Sequence, residues 1–433
     1  MTDLDIIKKI ENQKGGEFKN FKIFEDYTDG YTLDKNEHVV ALSLRNLGSS
    51  PESEPSETID YSGLIPLICS FTHLTNLTFD INIIKDISFL DRLIGLKYLS
   101  LSGDDELVDF SAISGLKKLE ELKLNRIEIE DISPLIMCLK NLPNLKTLDL
   151  SYNKISYISS ITVLGKLTEL SLLHNQIEDV SPISKLLNLY SVNLGRNKIS
   201  NVSAFRDMKE LKSLWLVGNQ VHNTNQLEDL ANLTSLSLGT NDLESIRPLS
   251  KLRSLEVLHL QENRISDISP LREFKELRVL SLSENNISDI SPLRDLSKLS
   301  QLNLQNNPIN ELPRWVIDFD MDIAWSKYGF KDNSIVLYEN PLKSPPPEIV
   351  EQGKRAIINY YEQLEEQNID YLFEAKMLIV GEPGAGKTTL AWKIENPSCD
   401  MPKEDETTKV LMLADIISRY RGKIFPHSLI QKN

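Results

Sequence analysis

Residues 255–271 read LEVLHLQENRISDISPL, and residues 277–293 repeat the pattern as LRVLSLSENNISDISPL. Both begin a frame of the form Leu-x-x-Leu/Val-x-Leu-x-x-Asn-x-Ile/Val/Leu. The frame recurs every 22 residues and begins at Leu145, Leu167, Leu189, Leu211, Leu233, Leu255, Leu277 and Leu299. Its ninth position is always asparagine, at Asn153, Asn175, Asn197, Asn219, Asn241, Asn263, Asn285 and Asn307. A fixed period of this length predicts a solenoid in which each repeat packs on its neighbours.

Less regular copies precede these eight frames. They begin at Leu74, Leu96 and Leu119, which lie 22, 23 and 26 residues before the next frame. The asparagine position holds Asn82 and Asp104 in the first two copies and Ile127 in the third. Still earlier, residues 39–47 (VVALSLRNL) predict a further strand or cap. The sequence therefore predicts about eleven repeats.

The frame resembles the leucine-rich repeat, and its residue pattern has a physical reason. Within residues 167–173, Leu170 and Leu172 fall on one face of a short strand and Leu173 on the other. The asparagine is expected to bond main-chain groups of its own and the adjacent repeat, because a buried amide is tolerated only when paired. Residues 267–271 (DISPL) predict a short helical turn with serine as its cap and proline at its first position. The predicted fold class is α/β, a curved solenoid with a parallel sheet on its concave face.

The pattern divides the chain into five parts. Residues 1–73 are interpreted as an N-terminal helix and capping region, in which residues 49–58 (SSPESEPSET) predict a mobile loop. Leucine-rich repeats occupy residues 74–320. The repeat then decays, and residues 321–343 are interpreted as a C-terminal cap without a further copy, because a terminal repeat must be covered. Residues 344–372 predict a linker helix, and residues 373–433 an incomplete phosphate-loop domain.

A phosphate-binding motif lies in the last part of the chain. A predicted buried strand ends at Val380, and a predicted helix begins at Thr388. Between them stands Gly-x4-Gly-Lys-Thr, whose nucleotide-binding residues are predicted to be Gly381, Glu382, Pro383, Gly384, Ala385, Gly386, Lys387, Thr388 and Thr389. Backbone N–H groups would surround a phosphate, Lys387 would reach the β and γ phosphates, and the Thr388 hydroxyl would coordinate Mg²⁺. The motif leaves open whether the base is guanine or adenine.

The order of the parts closely resembles the bacterial Roco family. The resemblance rests on the 22-residue array, the joint at residues 340–350 (NPLKSPPPEIV), and the Glu374-Ala375-Lys376 that leads into the phosphate loop. In that family the array precedes a Ras-like GTPase domain called Roc and a dimerising domain called COR. The resemblance implies nucleotide-gated signalling with GTP or GDP and Mg²⁺ as cofactors.

The sequence also departs from that family, from about Lys409 onward. Residues 375–433 are fewer than the roughly 100–150 residues of most domains. No Asp-x-x-Gly or Asn-Lys-x-Asp follows the phosphate loop, so the elements that sense the γ-phosphate and recognise guanine are missing. GTP hydrolysis by this chain is not expected, no catalytic residue is assigned, and nucleotide binding is expected to be weak. Because the COR domain is absent, a monomer is expected.

Composition excludes other classes of function. The net charge of -15 argues against a nucleic-acid-binding surface, since such surfaces are basic. No run of 18 apolar residues predicts a membrane span. Residues 1–15 intersperse charged with apolar side chains and lack a secretory signal, so a cytoplasmic location is expected. Two alternatives remain: a surface adhesin similar to internalins, which share 22-residue repeats, and a signalling ATPase similar to NLR proteins, in which repeats usually follow the loop.

The concave face is the predicted partner site. The third, fifth and seventh positions of each frame point away from the core and are mostly small or polar. The exceptions cluster around the seventh repeat and are the candidate partner-binding residues Leu173, Trp215, Val217, Val257 and His259. An exposed tryptophan among small neighbours is typical of a binding hot spot. The sequence therefore predicts an intracellular interaction scaffold whose ligand is a protein or peptide, since a small molecule needs a deeper pocket.

Overall fold

A computed structural model describes residues 1–14, 17–22, 29–44, 63–80, 86–103, 107, 109–326 and 332–367 of the chain. The chain divides into two compact units, Met1–Lys354 and Arg355–Asn433. Within the second unit the described residues are 355–367, which belong to one helix. The predicted mobile loop at residues 49–58, and Asn82 and Asp104 of the loose repeats, lie outside the described residues.

Sixteen described strands form one sheet, and they stack in chain order except that the last two exchange places. The strands are β1 Lys19–Asn20, β2 Gly30–Leu33, β3 Val39–Leu44, β4 Asn76–Asp80, β5 Tyr98–Ser102, β6 Glu121–Asn125, β7 Thr147–Asp149, β8 Glu169–Ser171, β9 Ser191–Asn193, β10 Ser213–Trp215, β11 Ser235–Ser237, β12 Val257–His259, β13 Val279–Ser281, β14 Gln301–Asn303, β15 Asp322–Ala324 and β16 Ser334–Val336. Neighbouring strands are parallel, except that β2 and β3 are antiparallel. The predicted parallel sheet is confirmed, and β3 is the strand predicted from residues 39–47.

Helical segments connect the strands. The α-helices are α1 Asp3–Lys14, α2 Leu64–Ile68, α3 Ser133–Leu139, α4 Pro347–Val350 and α5 Lys354–Gln367. The 3-10 turns are Ser88–Arg92, Ser111–Gly115, Ser159–Val163, Ser181–Lys185, Ser203–Phe205, Asn225–Leu227, Arg247–Lys251, Ser269–Glu273, Ser291–Leu293 and Arg314–Asp318. Helix α3 lies in the repeat that begins at Leu119, so the four additional residues of that repeat are used for one α-helical turn.

The core lies between the sheet and these turns. Burial alternates along strands β8, β9, β10 and β12: Leu170, Val192, Leu214 and Leu258 are buried, whereas the residues beside them are half-buried. Burying an aliphatic side chain stabilises the fold by about 1.5–3 kcal/mol. Because each repeat buries such side chains against the next, the stability of the array comes from contacts between neighbouring repeats.

The asparagines form a buried ladder, as predicted. The Nδ2 of Asn197 donates to the carbonyls of Leu172 and Leu194, at 2.9 and 3.0 Å. Its Oδ1 accepts the N–H of Ile177 at 3.0 Å. The same three bonds recur from Asn175 to Asn307, so each amide joins its own repeat to the preceding one.

The predicted serine cap is wrong, because an aspartate caps the turn instead. Ser269 is the first residue of its turn, and its N–H donates to Oδ1 of Asp267 at 2.8 Å. The corresponding bond in the next repeat joins Ser291 to Asp289, also at 2.8 Å. This backbone hydrogen bond holds the pKa of Asp267 below its ordinary value. A carboxylate is the stronger acceptor for the exposed N–H groups that begin a turn.

The prediction that no repeat copy follows residue 320 is also wrong. Strand β16 pairs with β14 in register, and Asn340 continues the ladder by donating to the carbonyls of Leu304 and Leu337 at 2.9 and 2.8 Å. Strand β15 pairs on the outer side of β16 and ends the sheet. Since β15 precedes β16 in the chain, the repeat is displaced from the 22-residue period and escaped detection.

The predicted single linker helix is divided in two. Helix α4 ends at Val350, and helix α5 begins at Lys354. Gly353 lies between them with a φ of 88°, which a right-handed helix does not permit. The Val350 carbonyl accepts the N–H of Gly353 at 2.9 Å and closes the end of α4.

Candidate functional site

The strands present an open face, formed by the third, fifth and seventh positions of each frame. From β9 to β14 these positions carry no Asp, Glu, Lys or Arg, although such residues make up 26% of the chain. The residues are Ser191, Asn193, Gly195, Ser213, Trp215, Val217, Ser235, Ser237, Gly239, Val257, His259, Gln261, Val279, Ser281, Ser283, Gln301, Asn303 and Gln305. Loss of charged side chains distinguishes the core of a protein interface from the rest of a surface.

Trp215 and His259 occupy the same position on strands two apart. The register places Trp215 opposite Ser237, and Ser237 opposite His259. Ser237 is only 5% exposed, whereas the flanking rings are half-buried. Because adjacent strands lie about 4.8 Å apart, the two rings flank the small serine. Trp215, predicted to be exposed, is therefore half-buried, and part of its ring remains accessible.

Burial also determines the charge of His259. Desolvation lowers the pKa of this imidazole below its ordinary value of 6.5. The ring is therefore mostly neutral near pH 7. The open face from β9 to β14 consequently carries no formal charge at neutral pH.

Leu173 and Val217 come together, although one strand lies between them. A Cβ added to Gly195 would lie 3.0 Å from Cδ1 of Leu173 and 2.9 Å from Cγ1 of Val217. The two aliphatic side chains therefore close over the glycine and form one half-buried apolar cluster. Leu173 was predicted to be exposed, and this contact reduces its exposure. Any larger residue at position 195 would separate the pair.

Two further residues belong to the face beside the five candidate residues. Val279 lies opposite Val257 on the next strand, so the candidate Val257 is one of an aliphatic pair. The Gln261 side chain lies over Gly239, because a Cβ on that glycine would come within 2.4 Å of Nε2. Its Oε1 is buried and has no hydrogen-bond partner among the described residues. The available signal in the sequence was a glycine on the open face next to a larger side chain of the adjacent repeat, as at Gly195 and Gly239.

The neutral face has an acidic border on strands β7 and β8. Asp149 accepts hydrogen bonds from the N–H of Ser151 at 3.0 Å and from Nδ2 of Asn125 at 3.3 Å. Glu169 accepts the hydroxyl hydrogen bond of Tyr190, which raises the pKa of that tyrosine. These carboxylates are held by their neighbours and mark where the uncharged region ends.

The described residues offer no metal site or membrane-spanning helix. No group of three or more His, Cys, Asp or Glu side chains within them could hold a metal ion. Every helix in the described ranges is too short or too polar to cross a bilayer. The predicted nucleotide-binding residues, from Gly381 to Thr389, and the predicted Mg²⁺ ligand Thr388 lie outside the described residues.

Family models match the repeated region. A model described as "Leucine Rich repeats (2 copies)" matches residues 165–207, 231–273 and 275–315. A second, described as "Leucine rich repeat", matches residues 137–177. These matches cover seven of the eight regular frames, and the frame that begins at Leu211 lies in the unmatched gap between residues 207 and 231.

Solved structures and a curated protein show the same similarity. The crystal structure of an internalin (inlF) from Listeria monocytogenes is 30% identical, with a TM-score of 0.53 over 62% of this chain and 75% of that chain. A TDR receptor structure is 17% identical, with a TM-score of 0.50 over 65% of this chain and 50% of that chain, which indicates the fold alone. The human leucine-rich repeat-containing G-protein coupled receptor 5 is 36% identical over 80 residues, which span 18% of this chain and 9% of the receptor.

Proposed function

The chain belongs to the leucine-rich repeat family, and from this premise we propose that the open face of β9–β14 binds a protein or peptide ligand. The observation that carries the proposal is the uncharged surface across six consecutive strands of an acidic protein. An interaction scaffold is the function that such a face supports best. The proposed hot spot of the site is Trp215, on β10.

The side chains on the face suggest how a ligand would be held. Trp215 offers the accessible part of a large ring, and the cluster of Leu173 and Val217 offers an aliphatic surface beside it. A partly buried aromatic group surrounded by small residues loses little conformational freedom when a ligand covers it. Since the strands form a shallow surface, an apolar segment of a polypeptide fits better than a small molecule, which needs a deeper pocket.

Substitution of Trp215 tests this proposal. We expect Trp215→Ala to reduce ligand capture from the native cells by at least tenfold, since hot-spot truncations cost about 2 kcal/mol or more. The measurement is quantitative affinity capture with the wild-type and variant chains. Tyr157→Ala is the matched control, because Tyr157 is 82% exposed and lies off the open face.

The control and a stability measurement define the contrary result. Tyr157→Ala should capture the same proteins as the wild type. If Trp215→Ala also captures the same proteins in the same amounts, and both variants melt at the wild-type temperature, the open face around Trp215 is not the ligand site.

We further propose that residues 381–389 bind the phosphates of GTP or GDP weakly, with Mg²⁺ on Thr388. The Gly-x4-Gly-Lys-Thr motif and the Roco-like order of parts support this, and both are features of the sequence. The chain would then be a signalling scaffold that carries a Roc-like phosphate loop. Titration of fluorescent GTP with Mg²⁺ should give weak binding that Lys387→Ala abolishes. Tight, guanine-selective binding that is insensitive to Lys387→Ala would contradict the proposal.

An adhesin similar to internalins is the second candidate for the whole chain. The similarity to the Listeria internalin favours it, and the phosphate-loop motif favours the intracellular scaffold. Cell fractionation separates the two. An intracellular scaffold is recovered in the cytoplasmic fraction, whereas an adhesin is accessible to protease added outside intact cells.

A further inference from the structure

The eighth position of each frame forms a line of side chains along one edge of the sheet, here called the rim row. Its members are Arg126, Tyr152, His174, Arg196, Gly218, Thr240, Glu262, Glu284, Asn306 and Glu339. Every one has a positive φ, between 48° and 68°. The side chains other than Gly218 are exposed. The row therefore presents one side chain per repeat at a regular spacing of about 4.8 Å.

The rim row is strongly polarised. Its first four members are basic or aromatic, its centre is the small pair Gly218 and Thr240, and its last four are acidic or amide. The first members are stacked: the Arg126 guanidinium lies 5.0 Å from the centroid of the Tyr152 ring. The ring of Tyr152 lies 5.0 Å from that of His174, with 21° between their planes. Such stacking orders the basic half before any partner arrives.

The charges of the rim row are not used inside the chain. Exposed charges at other positions do pair across repeats, as in Lys154 with Glu128 and Arg264 with Asp242. In contrast, Arg196, Glu262 and Glu284 have no ion-pair partner among the described residues. Charges that stand in line and remain unpaired are available to a second molecule.

If the rim row is aligned with a copy of itself in reverse order, its basic residues fall opposite its acidic residues. The reversal places Arg196 against Glu262, His174 against Glu284, and Arg126 against Glu339. The remaining partners are neutral, since Tyr152 meets Asn306 and Gly218 meets Thr240. When the ten-residue row is aligned with its own reverse, none of its five pairings brings like charges together. The small central pair permits close approach at the middle.

We propose that a second copy of this chain packs along the rim row, antiparallel to the first, around a two-fold axis between Gly218 and Thr240. A two-fold axis makes each contact occur twice, so the charge pairs Arg196–Glu262 and Arg126–Glu339 each contribute two contacts to the dimer. At the tenth position of the frame, two residues after the rim row, the same alignment brings together one pair of like charges, Lys198 and Arg264. Asp242 already pairs with that arginine at 2.8 Å. The proposal departs from the monomer expected from the sequence and does not depend on the function of the open face.

The size of the rim row predicts a weak, reversible dimer. Nine intervals of about 4.8 Å give a line of about 43 Å. With side chains covering a width of about 10 Å, the two copies bury roughly 900 Å² in total, below the 1,200–2,000 Å² of stable complexes. Exposed ion pairs are screened by salt. We therefore expect a dissociation constant in the micromolar range that rises with ionic strength.

Charge reversal tests the inference. Analytical ultracentrifugation of the full chain in about 50 mM salt should show a monomer–dimer equilibrium that shifts to monomer in about 500 mM salt. Arg196→Glu and Glu262→Arg each place like charges opposite one another, and each should weaken the dimer by at least tenfold. The chain with both substitutions restores opposite charges and should regain the wild-type affinity. An equimolar mixture of the two single variants should form mixed dimers more tightly than either variant alone.

Matched controls separate the rim row from general charge effects. Lys212→Glu and Glu210→Arg make the same changes of net charge at exposed positions before strand β10, and they should leave dimerisation unchanged. Circular dichroism melting of every variant verifies the fold. The inference is overturned if the wild-type chain stays monomeric at low salt and about 200 µM, a concentration at which a micromolar dimer is well populated. It is equally overturned if the single reversals do not weaken association or the double reversal does not restore it.

Discussion

The eighth and ninth positions of the frame are neighbours in the chain, yet they follow opposite rules. The ninth is asparagine in all eight regular frames, whereas the eighth ranges from Tyr152 through Gly218 to Glu284. The ninth side chain supplies buried backbone groups with hydrogen bonds, and few side chains of that size both donate and accept. The eighth contributes its main chain, since the N–H of His174 donates to the Gly195 carbonyl at 2.8 Å.

The difference shows which feature of a repeat is fixed by hydrogen bonding. Where the side chain completes the backbone bonding of the core, one residue type recurs. Where only a left-handed backbone is required, the side chain is free to vary, although each non-glycine residue there adds strain of about 1 kcal/mol or more. Because the side chain at the eighth position varies while the left-handed backbone is kept, this exposed row can carry residues that serve binding.

The largest expected effect comes from removing a ladder amide. Asn197→Ala leaves the buried N–H of Ile177 without its partner, and removes one of the two amide bonds at each of the Leu172 and Leu194 carbonyls. We expect the free energy of unfolding to fall by about 3 kcal/mol. Urea denaturation measures this. Asn201→Ala, which removes a single exposed bond to the N–H of Ser203, should cost less than about 1 kcal/mol.

A smaller change, this time an increase in the free energy of unfolding, is expected from replacing a core residue whose polar atom has no hydrogen-bond partner. Thr224 is 1% exposed, and its hydroxyl has no hydrogen-bond partner in the described part of the chain. Related repeats have Val202 or Ile246 at this position. Thr224→Val keeps the shape and removes the unpaired hydroxyl, so we expect a gain of about 1–2 kcal/mol in unfolding free energy. Thr224→Ser, which keeps the hydroxyl and loses a methyl group, should destabilise the chain instead.

The smallest expected effect lies on the rim row. Thr240 is β-branched and has a φ of 51°, a conformation that strains such residues. Thr240→Gly should raise the unfolding free energy by about 0.5–1 kcal/mol, as measured by thermal melting. The mirror substitution is Gly218→Ala, which adds a Cβ at a φ of 68° and should lower it by a similar amount. If both substitutions destabilise the chain equally, backbone strain does not govern the eighth position.

Much of the solenoid could be predicted because its signals are local and repeated. The period of 22 placed the strands, and the recurrent asparagine indicated the paired ladder from Asn153 to Asn307. The turn cap was assigned to serine instead of Asp267, since both residues are good caps and only the geometry distinguishes them. The repeat that contains Asn340 was missed because strand β15 is inserted before it and shifts the period.

The candidate site was predicted less completely than the fold. The five candidate residues do lie on the open face, because alternation along a strand is a strict rule. Their exposure depends on side chains of adjacent repeats, as when Leu173 and Val217 meet over Gly195. The polarised rim row also escaped prediction, since Arg, Tyr and Glu give no sign in sequence of a left-handed backbone.

The stacking of the strands has a mechanical consequence. From β4 to β13 each strand bonds only to the preceding and following strands, so tension applied along this part of the chain would open the array from an end, one row at a time. A released repeat of 22 residues spans at most roughly 70–80 Å when extended. The molecule would thus lengthen in nearly equal steps, with one longer step at the repeat that contains α3.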